Sequence, residues 1–211
     1  MTVSTRLLLL LPLLSLAACS LAPTPEPVTT YRLTVETPVI QNPVSSPLNL
    51  SLRVNKPNAS GYLATSRILV ISENNQLSVY KGAQWQETTP LMVRNHLLDS
   101  FRQFQLFQFI SSDDKQLTAQ IELDTDLRAF QTEYRQGQAV VNLTLVARLV
   151  NPKQKQILAS QTFTQLITAK SEQLSDVVEA FAQAQNQLSQ SVVHWTYQTL
   201  KNGPTPSSPS P

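Results

Sequence analysis

The chain has 211 residues, of which 41% are hydrophobic and 14% are charged, and its formal net charge at pH 7 is +2. This charge gives no long-range attraction to nucleic acid or to anionic lipid. A single cysteine excludes an intramolecular disulfide and a cysteine-rich zinc site, and two histidines leave little room for a histidine-based metal site. Because charged residues are scarce, Gln, Ser, Thr and Asn must supply most of the polar surface, a composition that suits a non-cytosolic protein.

Residues 1–18 have the pattern of a secretory signal peptide. Arg6 supplies a short positive region, and the run from Leu7 to Leu16 is almost wholly apolar. A membrane-spanning helix needs about 20 apolar residues, whereas this run has roughly half that number and is interrupted by Pro12. The segment is therefore predicted to be a secretory signal rather than a membrane span.

The signal ends in Leu16-Ala17-Ala18-Cys19, which matches a bacterial lipobox. In this interpretation diacylglycerol is attached to the thiol of Cys19, and the amine freed by the peptidase is acylated as well. Two or three acyl chains hold a protein stably at a membrane, since each buried CH₂ contributes about 0.8 kcal/mol. The alternative is ordinary secretion with cleavage after Ala17 or Ala18, which would leave an oxidisable thiol. Residue 20 is a serine, whereas an aspartate at this position often signals inner-membrane retention in enteric bacteria. We therefore expect outer-membrane sorting.

The remaining chain is predicted to be one domain between two loose ends. Residues 19–30 contain the modified cysteine and a tether with alternating prolines, which favour an extended chain. At about 3.1 Å per residue, positions 21–30 reach roughly 30 Å. Residues 31–201 have a suitable size for a single domain with its own core. Residues 202–211 are rich in proline and serine and are predicted to be a disordered tail.

Alternating apolar and polar residues predict strands through most of the domain. The alternation is strict over residues 48–54, and residues 67–72 and 77–81 flank an Asn-rich turn, which predicts a hairpin. Three later segments predict a three-stranded antiparallel meander with one solvated face. They are residues 117–129, 141–149 and 157–168.

A first helix is predicted where the apolar spacing changes to the helical period. Pro90 suits the first turn, with Thr88 or Thr89 as the N-cap. Residues 106–110 are then expected to return as a short strand. The apolar face of this helix is predicted to consist of Leu91, Leu97, Leu98, Phe101 and Phe104.

A second, longer helix is predicted between Leu174 and Trp195, where apolar residues recur at three- and four-residue steps. Ser171 or Ser175 can cap it, and Gly203 follows its last turn. Ala182, Ala184 and several glutamines are expected on its outer faces. The predicted fold class is α+β, an antiparallel or mixed sheet with two helices packed on one face.

The sequence has no nucleophile elbow, phosphate loop or dinucleotide fingerprint, and its four glycines are too few for a phosphate cradle. His96 and His194 have no visible nucleophile or orienting partner, so a periplasmic hydrolase that uses one of them is the least favoured hypothesis. Glu122, Asp124 and Asp126 could suggest a metal, but a solvated strand face explains them better. We therefore predict no catalytic, cofactor-binding or metal-binding residues, and a protein that is not an enzyme.

The loop Gly61-Tyr62-Leu63, which precedes a strand, is the predicted partner surface. A non-enzymatic interaction surface would be built from such loops and from an exposed sheet edge. Other aromatic residues could also contact a partner or lipid, although each of them is singly more typical of a core. They are Tyr80, Trp85 and the cluster at 101–109.

A series of short motifs follows the lipobox in a characteristic order. The first are Thr30-Tyr31-Arg32-Leu33, the stretch from Val54 to Pro57, Gly61-Tyr62-Leu63 and Arg67-Ile68. Then come Asn75-Gln76-Leu77, Tyr80, Trp85, the segments 123–130 and 157–163, Ala180-Phe181, Ala184 and Trp195. This ordered set resembles the ABC-type transport auxiliary lipoproteins, the family that includes the C component of the paraquat-inducible system.

The resemblance, which covers nearly the whole mature chain, implies a non-catalytic partner of MCE-domain proteins, which build hydrophobic conduits for lipid across the periplasm. It implies that the protein, held in the outer membrane by the lipids on Cys19, docks the far end of the conduit, with a homo-oligomeric ring as one form. The membrane system would be ABC-linked or of the paraquat-inducible type. The alternative is a lipid carrier with its own apolar cavity between sheet and helices. No nucleic acid and no cofactor are expected.

Overall fold

The structure, a computed structural model, describes residues 27–34, 47–115 and 117–203. Within these ranges a mixed sheet of nine strands and two helices form one α+β domain, which confirms the predicted fold class. The predicted signal peptide, Cys19, most of the tether and the tail beyond residue 203 lie outside the described residues. In the described part of the chain, neither helix combines the length and the apolar character needed to cross a membrane.

The elements follow one another in an order that matches most of the sequence-based expectations. The strands are β1 (Thr29–Tyr31), β2 (Leu48–Val54), β3 (Asn58–Ala59), β4 (Arg67–Ile71), β5 (Leu77–Trp85), β6 (Phe107–Ser112), β7 (Ile121–Arg135), β8 (Gln138–Asn151) and β9 (Gln156–Thr168). The helices are α1 (Thr89–Phe104) and α2 (Leu174–Asn202). The β4–β5 hairpin and the antiparallel meander β7–β8–β9 are confirmed.

The long strand β7 organises the sheet because both of its edges are paired. One edge pairs antiparallel with β8, which in turn pairs with β9. The other edge pairs in parallel with β2 at residues 121–123, with β3 at 126–127 and with β4 at 132–133. Beyond these, β6 pairs with β2, while β5 and then β1 extend the β4 side. The sheet therefore forks at β7, and the chain between β3 and β4 lies at this fork.

The predicted strand 117–129 is displaced toward its C-terminal end in the structure. β7 begins only at residue 121, and Leu117 is 57% exposed rather than buried. Residues 117–120 have no partner in β8, because β8 ends at Asn151 and the following Pro152 has no N–H to donate. A register shift between Leu127 and Ala129 also ends the simple alternation that the sequence shows.

Helix α1 is buried over more of its surface than its predicted apolar face. Of the two predicted N-caps, Thr88 has the extended backbone of an N-cap, and Thr89 is the first residue of the helix. Leu91 is only half-buried, whereas the following Met92 and Val93 are buried. The reason is that α1 packs against α2 on one side and against β6 and β2 on the other.

Helix α2 ends at Gly203 as predicted, but its start and its outer face differ from the prediction. The N-cap is Gln173 rather than Ser171 or Ser175. The Ser171 hydroxyl lies just upstream, where it accepts a hydrogen bond from the Gln173 amide at 3.1 Å. Ala184, expected on an outer face, is fully buried. A small side chain at this position allows the helix to approach the sheet closely.

An aromatic cluster fills the core between the sheet and α2. Trp85 on β5, Phe130 on β7 and Phe181 on α2 are at most 1% exposed. Their ring centroids lie 5.1 to 6.0 Å apart, in edge-on and stacked pairs. Such pairs add to the stabilisation from burial alone. The same cluster thus joins both antiparallel parts of the sheet to the helix layer.

Candidate functional site

The predicted partner loop lies at the fork of the sheet, between β3 and β4. Gly61 is exposed, and the Tyr62 side chain is 46% exposed. Leu63 is only 1% exposed, so its assignment to the surface is wrong. An aliphatic side chain beside the core gains more from burial than from solvent contact. The surface that a partner can reach in this loop therefore consists of Gly61 and Tyr62.

Several hydrogen bonds hold this loop in one conformation. The amides of Leu63 and Ala64 donate to the Ser60 carbonyl oxygen at 2.9 and 3.0 Å. At the start of α1, the Thr89 hydroxyl donates to the Leu63 carbonyl oxygen, and the Thr89 amide donates to the Thr65 carbonyl oxygen at 3.0 Å. The buried Leu63 side chain and α1 thus position the neighbouring Tyr62. A preorganised aromatic side chain loses less conformational entropy when a partner binds.

Gly61 is not needed for the backbone geometry of this loop. Its φ angle lies outside the left-handed region, and no atom lies within 4 Å of the place that a Cβ would occupy. A larger side chain at residue 61 would therefore project into solvent. This makes Gly61 a position at which the surface can be changed without straining the fold.

The carboxylates considered as metal ligands in the sequence are engaged in ion pairs on the solvated face of β7. Glu122 binds the Arg53 guanidinium. Arg148 bridges Asp124 at 3.0 Å and Asp126 at 2.8 Å. The hydrogen bond from Arg148 lowers the pKa of Asp126, and the same contacts raise the pKa of Arg148. The described residues contain no cluster of three potential metal ligands.

The two histidines lie in contacts between or within helices. His96 on α1 is 4% exposed, and its Nε2 lies 2.9 Å from Oδ1 of Asn186 on α2. Burial disfavours its charged form and lowers its pKa, although the Asn186 hydrogen bond acts in the opposite direction. His194 is exposed, with Nδ1 2.8 Å from the Gln190 carbonyl oxygen and its ring 4.9 Å from that of Phe104. These contacts give the hydrolase hypothesis no support.

A second exposed apolar surface lies on the β2 side of the fork and includes Phe109, a member of the aromatic cluster that the sequence offered as a possible contact surface. Phe109 on the edge strand β6 is 55% exposed, and Leu117 is 57% exposed. Together with Ile110 and Ser51 they border an open depression of about 470 Å³. The alternating pattern of residues 117–129 predicted that Leu117 would be buried. The other candidate aromatics are buried or half-buried, namely Tyr80, Trp85, Phe101, Phe104 and Phe107.

Comparison with known proteins gives both a sequence family and a fold. Residues 31–193 match the family described as ABC-type transport auxiliary lipoprotein component. The crystal structure of protein XCC0632 from Xanthomonas campestris is 27% identical over 83% of this chain and 98% of its own, with a TM-score of 0.76. The structure of an uncharacterized protein shares the fold at 17% identity over 81% of this chain and 99% of its own, with a TM-score of 0.60. No curated protein matches the sequence.

The sequence match includes the last residue of β1, all of the following strands, α1 and most of α2. It therefore covers the whole sheet beyond β1, together with the loop that carries Tyr62. The similar structure from Xanthomonas campestris aligns over nearly its full length. Sequence and structure thus agree that the chain belongs to the family of ABC-type transport auxiliary lipoprotein components.

Proposed function

We propose that the protein is a non-catalytic docking component of an MCE-type lipid transport system, anchored in the outer membrane by lipid on Cys19 and facing the periplasm. The observation that carries the proposal is the family match over residues 31–193. The lipobox that ends at Cys19 supports the anchor. The proposed partner is a periplasmic MCE-domain protein, whose membrane system is ABC-linked or of the paraquat-inducible type.

The arrangement of the described side chains suits a binding role. The groups that the sequence offered for catalysis or metal binding are engaged in ion pairs or in helix contacts, as with Arg148 and His96. Tyr62 stands half-exposed on a loop that the core holds in place. Tyrosine is common at protein interfaces because its ring combines a large apolar area with a polar hydroxyl. We therefore propose Gly61 and Tyr62 as the contact with the conduit, and a homo-oligomeric ring as one form of the assembly.

A lipid carrier with its own apolar cavity is the alternative proposal. Its cavity was expected between the sheet and the helices, where the rings of Trp85, Phe130 and Phe181 pack instead. The open depression beside Phe109 and Leu117 is the observation that favours the alternative. Native mass spectrometry of the purified protein would distinguish the two, since a carrier should retain bound lipid and a docking component should not.

The proposed partner can be tested by affinity capture of the full-length tagged protein from solubilised membranes. We expect mass spectrometry to identify an MCE-domain protein. Tyr62→Ala should reduce its recovery about tenfold, as the loss of an interface anchor worth about 1 to 2 kcal/mol would. Gly61→Lys should also reduce it, because the added side chain would project into the proposed contact. Phe109→Ala is the matched control, because it removes a ring of similar exposure, 55% against 46% for Tyr62, from another surface, and recovery should be retained.

Two other outcomes would count against parts of this proposal. Recovery of only peptidoglycan or of a β-barrel assembly machine would contradict the assignment to an MCE system. Equal recovery with wild-type protein and with Tyr62→Ala would leave that assignment in place and show that the loop is not the contact.

A further inference from the structure

In the part of the chain that the structure describes, one edge of strand β9 has no paired strand. Among the described strands it pairs only with β8, and its 13 residues include no charged side chain and no proline. Edge strands are usually short or carry charges, prolines or bulges that prevent pairing with another chain. A long uncharged edge of this kind is suited to the addition of a further strand.

The backbone groups that face outward from β9 follow from its pairing with β8. The Ala169 amide donates to the Ala139 carbonyl oxygen at 2.9 Å, and the register is regular from there back to Ala159. In an antiparallel pair, alternate residues bond to the partner and the residues between them direct N–H and C=O away. The outward-facing residues are therefore Ser160, Thr162, Thr164, Leu166 and Thr168, and all five side chains are exposed.

A side-chain contact supports this assignment independently. The hydroxyl oxygens of Thr144 on β8 and Thr164 on β9 lie 3.2 Å apart. Residues opposite each other without mutual backbone hydrogen bonds are the pairs whose side chains come closest. Thr164 is thus a residue whose backbone groups point away from β8.

We propose that β9 pairs antiparallel with β9 of a second copy of this chain, about a two-fold axis at Thr164. In this register Thr164 lies opposite its counterpart, Thr162 opposite Leu166, and Ser160 opposite Thr168. Every outward-facing residue of both strands then has a hydrogen-bonding partner. The proposal goes beyond the docking role, because it involves neither Tyr62 nor the lipid anchor.

The chemistry of β9 favours an identical strand as its occupant. Two copies bring no like charges together, since β9 carries none, and they place threonines opposite threonine, serine or leucine. A charged partner strand would instead set a charge beside these side chains without an opposite charge to neutralise it. The contact uses the same edge in both copies, so it closes at two and differs from the head-to-tail contact that a ring requires.

Cysteine cross-linking of the full-length protein in membranes tests the pairing. Thr164→Cys places a thiol at the axis, and we expect mild oxidation or a short bifunctional thiol reagent to convert most of the protein to a covalent dimer. Thr144→Cys is the matched control on the same face, one strand further from the axis. Its counterpart would lie about 14 Å away at about 4.8 Å per strand, so it should stay monomeric. The wild-type chain measures any background from Cys19.

A second variant separates pairing from folding. Thr164→Lys sets two like charges against each other at the axis and should abolish the dimer in light scattering, while Thr144→Lys should retain it. Far-ultraviolet circular dichroism should show that both variants keep the wild-type fold. No covalent dimer of Thr164→Cys above background, equal dimer with Thr144→Cys, or cross-linking to a different protein would each overturn the proposal. Capture of the MCE-domain protein should be unchanged by Thr164→Lys, so the two proposals fail separately.

Discussion

Arg94 shows how one buried charged residue connects distant parts of the chain. It is 8% exposed on α1, and its guanidinium lies 2.8 Å from the carboxylate of Asp113, in the single 3₁₀ turn Asp113–Lys115 that follows β6. Burial alone would raise the pKa of Asp113, but hydrogen bonds from Arg94 and from the Lys56 amide outweigh it and lower the pKa. The pair therefore holds α1, the loop after β2 and the loop after β6 together.

His96 makes the stability of the protein depend on pH. Its pKa is lowered by burial in the folded protein, so the unfolded chain takes up a proton more readily. The free energy of unfolding should therefore be highest above about pH 6.5, the ordinary value, and should fall below it by at most about 1.4 kcal/mol per pH unit. Urea denaturation at pH 7.5, 6.5 and 5.5 measures this slope.

Two histidine variants identify the residue responsible for this slope. His96→Gln should flatten the pH dependence in this range, whatever its effect on absolute stability, because no imidazole is buried beside Asn186. His194→Gln should retain the wild-type slope, because His96 is still present. A slope that is equal in wild-type protein and in His96→Gln would contradict the explanation.

At the scale of elements, Phe181 makes the central aromatic contact between α2 and the sheet. Phe181 is fully buried, and its ring centroid lies 5.1 Å from that of Trp85 and 5.2 Å from that of Phe130. Phe181→Ala should lower the free energy of unfolding by about 3 to 5 kcal/mol, because it removes a buried ring and leaves a cavity. Chemical denaturation followed by tryptophan fluorescence measures the change directly.

Phe109→Ala provides the matched comparison for this prediction. It removes the same ring from a side chain that is 55% exposed, so the change should be under about 0.5 kcal/mol. Similar losses for the two variants would contradict the assignment of Phe181 to the core. If Phe181→Ala fails to fold, Phe181→Leu should show the same direction with a smaller loss.

Short sequence patterns predicted an element well where neighbouring residues alone decide its conformation. The strict alternation of 48–54 became β2, and Gly203 ends α2 as expected. The predictions failed where partners from distant parts of the chain decide burial. Leu117 has the right spacing for a core residue but lies beyond the last residue of β8 that could pair with it.

At the scale of the whole molecule, the proposed lipid on Cys19 would have to supply the membrane attachment of a near-neutral protein. The full chain carries a formal charge of +2, which attracts anionic lipid only weakly. Cys19→Ala should therefore move the protein from the membrane fraction to the periplasmic fraction and abolish its labelling by palmitate. Immunoblots of the separated fractions measure this directly.

Ser20→Ala is the control for this variant, because it changes the neighbouring residue and leaves the thiol. It should remain in the membrane fraction and remain labelled. Palmitate labelling of Cys19→Ala equal to that of the wild type would contradict lipid attachment at this cysteine.

The features that could be recognised before folding are those encoded by neighbouring residues. They include the lipobox at Cys19, the alternation of the meander strands, the helical spacing of α2 and the ordered motifs of the family. Each depends on chain geometry or on an enzyme that reads a short segment. Such features do not depend on contacts between distant parts of the chain.

The three-dimensional arrangement alone determines which of these side chains another molecule can reach. Tyr62 and Leu63 are adjacent, yet Tyr62 projects into solvent and Leu63 enters the core beside α1. The edge of β9 with which no described strand pairs, and the fork at β7, likewise arise from strands brought together from far apart in the chain. Burial and hydrogen-bond satisfaction are properties of these long-range contacts, which no short sequence pattern contains.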